Sequence, residues 1–296
     1  MRFLIFIFAC LFPFAVEAAD LKVVASTAPL HSAVSFVMRG AGTPSLLVPP
    51  AVSAHDYVLK PSDMMKLARA DVVFWNGKEL EFFLPKALEA SGASDKSVAV
   101  LPLEGMKLLQ ARSVRTNLAD EGGEIDPHFW LMPENMAVAA AAVAETLAAK
   151  DPDRAELYRK NASEFKSRMN KLGFEIKQTF QGMKSGNFLF FHDAFLYFEH
   201  VAGVRSLGIV EAGGHTAAGA GHLSALREKI RRAGKVCLFT APQFPSSRVT
   251  PLSEGLSVTI AEADPAGAGI KTGENFYTEM MHNLIQSLYG CLKEVQ

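Results

Sequence analysis

DPDRAELYRKNASEFKSRMNKLGFEIKQTFQGM, residues 151–183, places Tyr158, Ala162, Phe165, Met169, Leu172, Ile176, Phe180 and Met183 at steps of three and four. Such spacing lays one apolar stripe along a single long helix. Asp151 is placed to cap the first amides, and Pro152 suits the first helical position because its missing N–H has no partner there. At a rise of 1.5 Å per residue, some thirty residues reach roughly 45 Å, enough to cross a small protein. The stretch reads as a spine between an N-terminal lobe, residues 19–150, and a C-terminal lobe, residues 184–296. Candidate chemical residues fall on both sides of it: His55 and His128 before, His192 and Asp264 after. A site that uses all four must lie where the lobes meet.

Outward from the spine the chain alternates. On the N-terminal side the patterns predict strands over 22–25, 45–48, 71–75 and 97–101, with helices over 29–39, 61–70, 79–90 and 136–148. Residues 104–127 lack periodicity and read as a loop that delivers His128. On the C-terminal side strands are predicted over 187–191, 206–210, 236–240 and 257–261, and helices over 193–201, 223–233, 246–254 and 274–292. This alternation predicts an α/β protein of two lobes, each a mainly parallel sheet flanked by helices. In open sheets of that kind ligands sit beyond the carboxyl ends of the strands. His55, His192 and Asp264 each follow a predicted strand end by a few residues.

With 30 basic and 31 acidic side chains the formal net charge is −1, which gives no general field to attract nucleic acid or anionic lipid. Neither is expected as a partner. At the N-terminus Arg2 precedes an apolar run over 3–14, and Val16-Glu17-Ala18 offers small residues where a signal peptidase cuts. Residues 1–18 read as a signal peptide with cleavage near Ala18, predicting an exported chain that is not embedded in a membrane. Cys10 would leave with that leader; too little apolar sequence precedes it to favour a lipid anchor there. Cys237 and Cys291 then remain in an oxidising compartment and are expected to pair, which removes unfolded-state entropy worth roughly 4 kcal/mol on the chain-entropy model.

Eight histidines are present, and context separates them. His55 and His128 stand in polar or turn-forming surroundings, Ala54-His55-Asp56-Tyr57 and Asp126-Pro127-His128-Phe129-Trp130. His192 ends the apolar run Phe188 to Phe191. An imidazole at the mouth of a buried strand has a fixed direction and little water about it. That placement suits metal binding, because neutral imidazole is a good ligand for zinc, copper, iron and nickel. Asp56 and Asp193 are candidates either to set the histidine tautomers or to cap the helices that follow. His31 reads as packing or capping, His200 and His282 as exposed. His215 and His222 flank a glycine-rich loop, 213–222, that reads as a mobile connection or an auxiliary ion site.

Residues 43–88, with Leu-Val-Pro, His-Asp-Tyr, Leu-Lys-Pro-Ser-Asp, Ala-Asp-Val-Val-Phe-Trp-Asn-Gly and Leu-Glu-Phe-Phe-Leu, resemble the metal-specific substrate-binding proteins of ABC importers. The resemblance continues through Asp126-Pro-His-Phe-Trp-Leu, Phe190-Phe-His-Asp-Ala-Phe-Leu-Tyr-Phe, Cys237-Leu-Phe-Thr-Ala-Pro-Gln-Phe and Ala263-Asp-Pro-Ala-Gly. The branch most similar is the periplasmic zinc-uptake protein of the ZnuA type. Membership would imply two lobes joined by one long helix, an ion bound between them, and delivery of that ion to a membrane permease. Carried over position by position, the resemblance implies His55, His128 and His192 as metal ligands, Asp264 as the accompanying carboxylate, and a Cys237–Cys291 disulfide.

Manganese-type relatives place a carboxylate where this chain has His192, and a nitrogen-rich site suits zinc better than the harder manganese ion. Zinc, bound as cargo rather than as a resident cofactor, is therefore the expected ligand, with Asp264 or water as the fourth donor. The chain departs from the family pattern in Ala54, Met132 and Ala241, where relatives often carry acidic residues. It also lacks a histidine-rich acidic loop, since residues 112–124 contain no histidine. The resulting expectation is a monomeric periplasmic zinc carrier, not an enzyme. The rival readings are a manganese, iron or copper carrier, an adhesin of the same fold, and more remotely a zinc hydrolase, which would need a general base that no H-E-x-x-H helix supplies.

Overall fold

In the computed structural model, which describes residues 20–113, 116–117, 123–211, 219–244 and 249–295, the spine forms but starts differently. A 3-10 turn over Pro152–Arg154 leads into helix α5, Ala155–Phe180. The Asp151 carboxylate accepts hydrogen bonds from the Tyr158 hydroxyl at 2.7 Å and from Arg154 Nε at 2.5 Å, so the side chain anchors the first helical turn. At 26 residues α5 spans about 39 Å. Its stripe from Tyr158 to Phe180 is buried as the periodicity requires. Ile176→Val removes one methylene from this fully buried row and is expected to lower unfolding free energy by about 0.5–1.5 kcal/mol, read from a urea titration whose slope stays unchanged.

The spine separates two four-stranded sheets of the same topology. In the first, β1 (Val23–Ala25), β2 (Ser45–Leu46), β3 (Val72–Trp75) and β4 (Ser97–Ala99) lie in the order β2-β1-β3-β4. In the second, β5 (Phe188–His192), β6 (Gly208–Glu211), β7 (Val236–Thr240) and β8 (Val258–Glu262) lie in the order β6-β5-β7-β8. All neighbouring strands are parallel. The central strands are covered on both faces, which is why they read as unbroken apolar runs such as VVFW and FLFFH. The largest core cluster draws on both lobes and on the spine, while each sheet carries a smaller cluster on its outer face.

Helices α1 (Ala28–Val37), α2 (Pro61–Arg69), α3 (Leu84–Ala90) and α4 (Pro133–Lys150) serve the first half. Helices α6 (Leu196–Ala202), α7 (Ala220–Ala233), α8 (Thr250–Ser253) and α9 (Phe276–Val295) serve the second. α3 and α6 begin well after their patterns suggest. α3 starts at Leu84 instead of 79 because Glu81 turns inward and accepts from the backbone amides of Asn76 and Gly77 at 2.9 and 3.3 Å. α6 starts at Leu196 instead of 193 because Asp193 is drawn into an ion pair with Arg112. β2 is shorter than predicted, and α8 is described only from Thr250.

α9 reaches beyond its own lobe: Tyr277 N–H donates to Ser32 Oγ of α1 at 3.0 Å, and Cys291 on its last turns is bonded to Cys237 of β7. The loop before His128 also crosses between the halves. Arg112, buried, donates from Nε to Asp193 at 2.7 Å and pairs with Glu199, and the amide of Leu109 donates to the Tyr197 hydroxyl at 3.1 Å. Among the described residues no helix is long and apolar enough to cross a membrane. The leader over 1–18, Cys10 within it, and most of the loop over 213–222, including His215, lie outside the described residues.

Candidate metal centre

Three chain segments bring one imidazole each to the interface of the lobes. His55 comes from the loop between β2 and α2, His128 from the turn just before a 3-10 helix over Phe129–Leu131, and His192 from the last position of β5. Their ring centroids stand 5.2 Å (His55–His128), 5.6 Å (His55–His192) and 5.3 Å (His128–His192) apart. One donor atom from each lies within 4.8 Å of the other two. His55 Nε2 and His128 Nε2 are 3.2 Å apart. Zn–N bonds near 2.0–2.1 Å in a tetrahedron set nitrogens about 3.4 Å apart, so this pair already has the spacing of two ligands to one ion.

The protons are arranged to suit. Asp126 Oδ1 accepts from His128 Nδ1–H at 2.7 Å and from the backbone N–H of His128 at 2.9 Å. With its proton held on Nδ1, His128 presents a bare Nε2 lone pair toward His55, the tautomer a metal requires. His192 is 8 % exposed, and burial, followed by the nearby His128 and His55, lowers its pKa well below the ordinary histidine value. It is neutral, and therefore able to donate, throughout the physiological range. Asp126→Asn removes the carboxylate that fixes His128 and is expected to weaken metal binding by about 10–100-fold, measured by competition with a chelator.

The surrounding wall is apolar. Trp130 meets the His128 ring edge-on at 5.2 Å, Phe244 lies 4.9 Å from the His192 ring, and Pro49, Val52, Leu80 and Pro265 add to the lining. The cavity measures about 50 Å³, room for an ion and a few waters. Two hydrogen bonds tie the lobes beside it: Trp130 Nε1 donates to Pro265 O at 2.8 Å, and Gln243 Nε2 to Pro50 O at 3.0 Å.

Asp264 is not brought to this group. Oδ1 accepts from Gln243 Nε2 and from the amide of Ala266, both at 2.9 Å, and Oδ2 from the amide of Ala268 at 2.5 Å. Its carboxylate stabilises the turn after β8, while the next two residues, Pro265 and Ala266, line the cavity. Asp193 does not orient His192, because Arg112 takes its carboxylate. The tautomer-setting acid is Asp126, which the sequence displays two residues before His128 in Asp126-Pro127-His128. Of the other histidines, His31 packs in α1 against Pro44 O at 3.0 Å, His222 contacts Ile209 O at 2.9 Å, His282 pairs with Glu175, and His200 is exposed.

The family model described as zinc-uptake complex component A, periplasmic (ZnuA) matches residues 23–291. The chain belongs to the ZnuA family. The high-affinity zinc uptake system protein ZnuA of Brucella suis biovar 1 is 34% identical over 306 residues, with 92% of each chain covered. The protein of the same name from Haemophilus ducreyi is 29% identical over 294 residues, covering 93% of this chain and 94% of that one. A crystal structure of ZnuA superposes with a TM-score of 0.79 at 20% identity, covering 93% of this chain and 100% of the other. The periplasmic zinc binding protein TroA from Treponema pallidum superposes with a TM-score of 0.79 at 23% identity, covering 93% and 99%. These two share the fold: paired parallel sheets about a long helix. Within it, this ZnuA-family chain has Ala54 on the cavity wall and Met132 and Ala241 buried, the three positions at which it departs from the family pattern.

Proposed function

We infer that this protein is the periplasmic zinc-capturing component of an ABC importer, in which His55, His128 and His192 hold the ion between the lobes and a membrane permease receives it. The observation that supports this most directly is the convergence of three imidazole donors within 4.8 Å, one of them preset by Asp126, at the seam of the lobes. Family membership supports the same cargo. Zinc accepts three nitrogens in a tetrahedral shell, with water in the fourth position, and a nitrogen-only protein set selects against manganese, calcium and magnesium.

Capture follows from the proton inventory. Without metal, His55 Nε2–H donates to the bare Nε2 of His128; on binding, that proton moves to His55 Nδ1 so that Nε2 can face zinc, and His192 joins as a neutral imidazole whose one N–H sits on the nitrogen turned away from the ion. Ligands from both sides of the spine make binding a closing contact between lobes, and separating the lobes withdraws His192 from the other two. Release to a permease requires only that separation. The chain works as an exported, single-chain carrier rather than a catalyst.

Metal analysis of the whole chain purified without chelators tests this, followed by competition among zinc, manganese, iron and copper. About one zinc per chain, lost in the His55→Ala, His128→Ala and His192→Ala variants, is the expected result. Zinc content unchanged in all three would defeat it, and a preference for manganese would reassign the cargo.

A further inference from the structure

Tyr197 is fully buried on α6, the helix that follows His192. Its hydroxyl reaches across to the segment that carries His128. There the chain runs antiparallel to itself about the pair Gln110–Ile125: Ala111 N–H donates to Glu124 O at 2.8 Å, and Asp126 N–H to Leu109 O at 2.9 Å. In a regular antiparallel pair Leu109 N–H would return a bond to Asp126 O. The Tyr197 hydroxyl stands in that rung, accepting from Leu109 N–H at 3.1 Å and donating to Asp126 O at 2.9 Å. An amide N–H only donates and a carbonyl oxygen only accepts, so the direction of both bonds is fixed.

Asp126 is also the residue whose carboxylate sets His128, with Oδ1 accepting from the ring Nδ1–H at 2.7 Å and from the His128 amide at 2.9 Å. Its main chain is held by a side chain of the second lobe, and its own side chain holds a ligand of the first. We propose that Tyr197 is a positioning residue: by filling the rung between Leu109 and Asp126, its hydroxyl fixes the Asp126 backbone where the carboxylate keeps the His128 proton on Nδ1 and leaves Nε2 bare for zinc. This rests on the three-histidine site. The connection from β5 into α6 then serves two ligands, supplying His192 directly and setting His128 through Asp126. Lobe separation that withdraws His192 withdraws this hydroxyl as well, so capture and release act on both imidazoles together. Without the hydroxyl, the Leu109 amide and the Asp126 carbonyl either close on each other, which moves Asp126, or are left unpaired, which loosens it.

The test is a cycle of Tyr197→Phe, Asp126→Asn and the double variant, with zinc affinity read by chelator competition and the metal-free proteins compared by NMR of their nitrogen-labelled imidazoles. Tyr197→Phe is expected to bind zinc about three- to tenfold more weakly, the size of one hydrogen bond, and to move the His128 Nδ1–H resonance upfield as its bond to Asp126 weakens. Because Tyr197 acts through Asp126, the double variant is expected to bind zinc within about twofold of Asp126→Asn alone. A tyrosine that only filled the core would leave the His128 resonance in place, and any cost would multiply with that of Asp126→Asn. The proposal is overturned by wild-type zinc affinity in Tyr197→Phe, by an unmoved His128 Nδ1–H resonance, or by losses that multiply in the double variant. If Tyr197→Phe lacks the wild-type circular dichroism spectrum, para-fluorophenylalanine at the same position, which fills the volume of the hydroxyl without donating, takes its place and the same outcomes decide. Retained zinc binding in the three histidine variants would instead overturn the parent site.

Discussion

Replacing His192 with alanine is expected to weaken zinc binding by about two to three orders of magnitude. Four-ligand zinc sites bind with roughly 10–16 kcal/mol, about 2.5–4 kcal/mol per ligand, and each 1.4 kcal/mol is a factor of ten. His192 should be at the upper end of that range for two reasons. It is the only one of the three from the second lobe, so its loss leaves both remaining imidazoles on one side of the cleft and removes the metal's hold on closure. It is also neutral by virtue of burial, so no proton has to leave for the metal to bind, and none of its affinity is spent on displacing one. Chelator competition at pH 7.5 measures the change. His282→Ala is the control: that ring is half-exposed on α9, pairs with Glu175 at 3.2 Å, and should leave affinity untouched. A His192→Ala variant within fivefold of wild type would remove the second lobe from the site.

The two sheets were legible in the sequence as apolar runs alternating with helical stripes, and that alternation put His55 and His192 just past strand ends. His128 follows residues 104–127, which have no periodicity, and the family resemblance rather than spacing implied the three histidines as ligands. What escaped is the destination of carboxylates. Asp264 follows β8 as a ligand should, yet its carboxylate accepts from Gln243 and, in the tight turn through Pro265, from the amides of Ala266 and Ala268. Asp193 stands beside His192 in sequence but faces Arg112, a residue 81 positions earlier in a segment without periodicity. Neither partner leaves a local signature, since a buried ion pair between distant segments is decided by packing. Glu81 is the same case: its inward turn to Asn76 and Gly77 shortened a helix that the apolar spacing supported.

Zinc should raise the melting temperature at pH 7.5, and that increment should vanish on acidification toward pH 5. Binding to the native state alone adds about 4 kcal/mol when free zinc is a thousand times Kd. The sign of the pH effect follows from proton counting. Each ligand imidazole must be neutral to bind zinc, so protons compete with the ion as the pH falls. The metal-free protein also loses stability on acidification, through His192. Its folded pKa lies below the unfolded value, so below about pH 6.5 the unfolded chain takes up a proton that the native state refuses, down to the lowered folded value. Glu81 acts oppositely: burial raises its pKa to about 7, so its contribution is present at low pH and fades between about 4.5 and 7 as pH rises. These two influence apo stability in conflicting directions, and the apo melting temperature alone is therefore a poor reporter of the site. Glu81 belongs to both forms and cancels in the difference between zinc-loaded and chelated samples. That difference isolates the imidazoles. An increment that is the same at pH 7.5 and pH 5, or absent at both, would mean that histidine protonation does not control the ion.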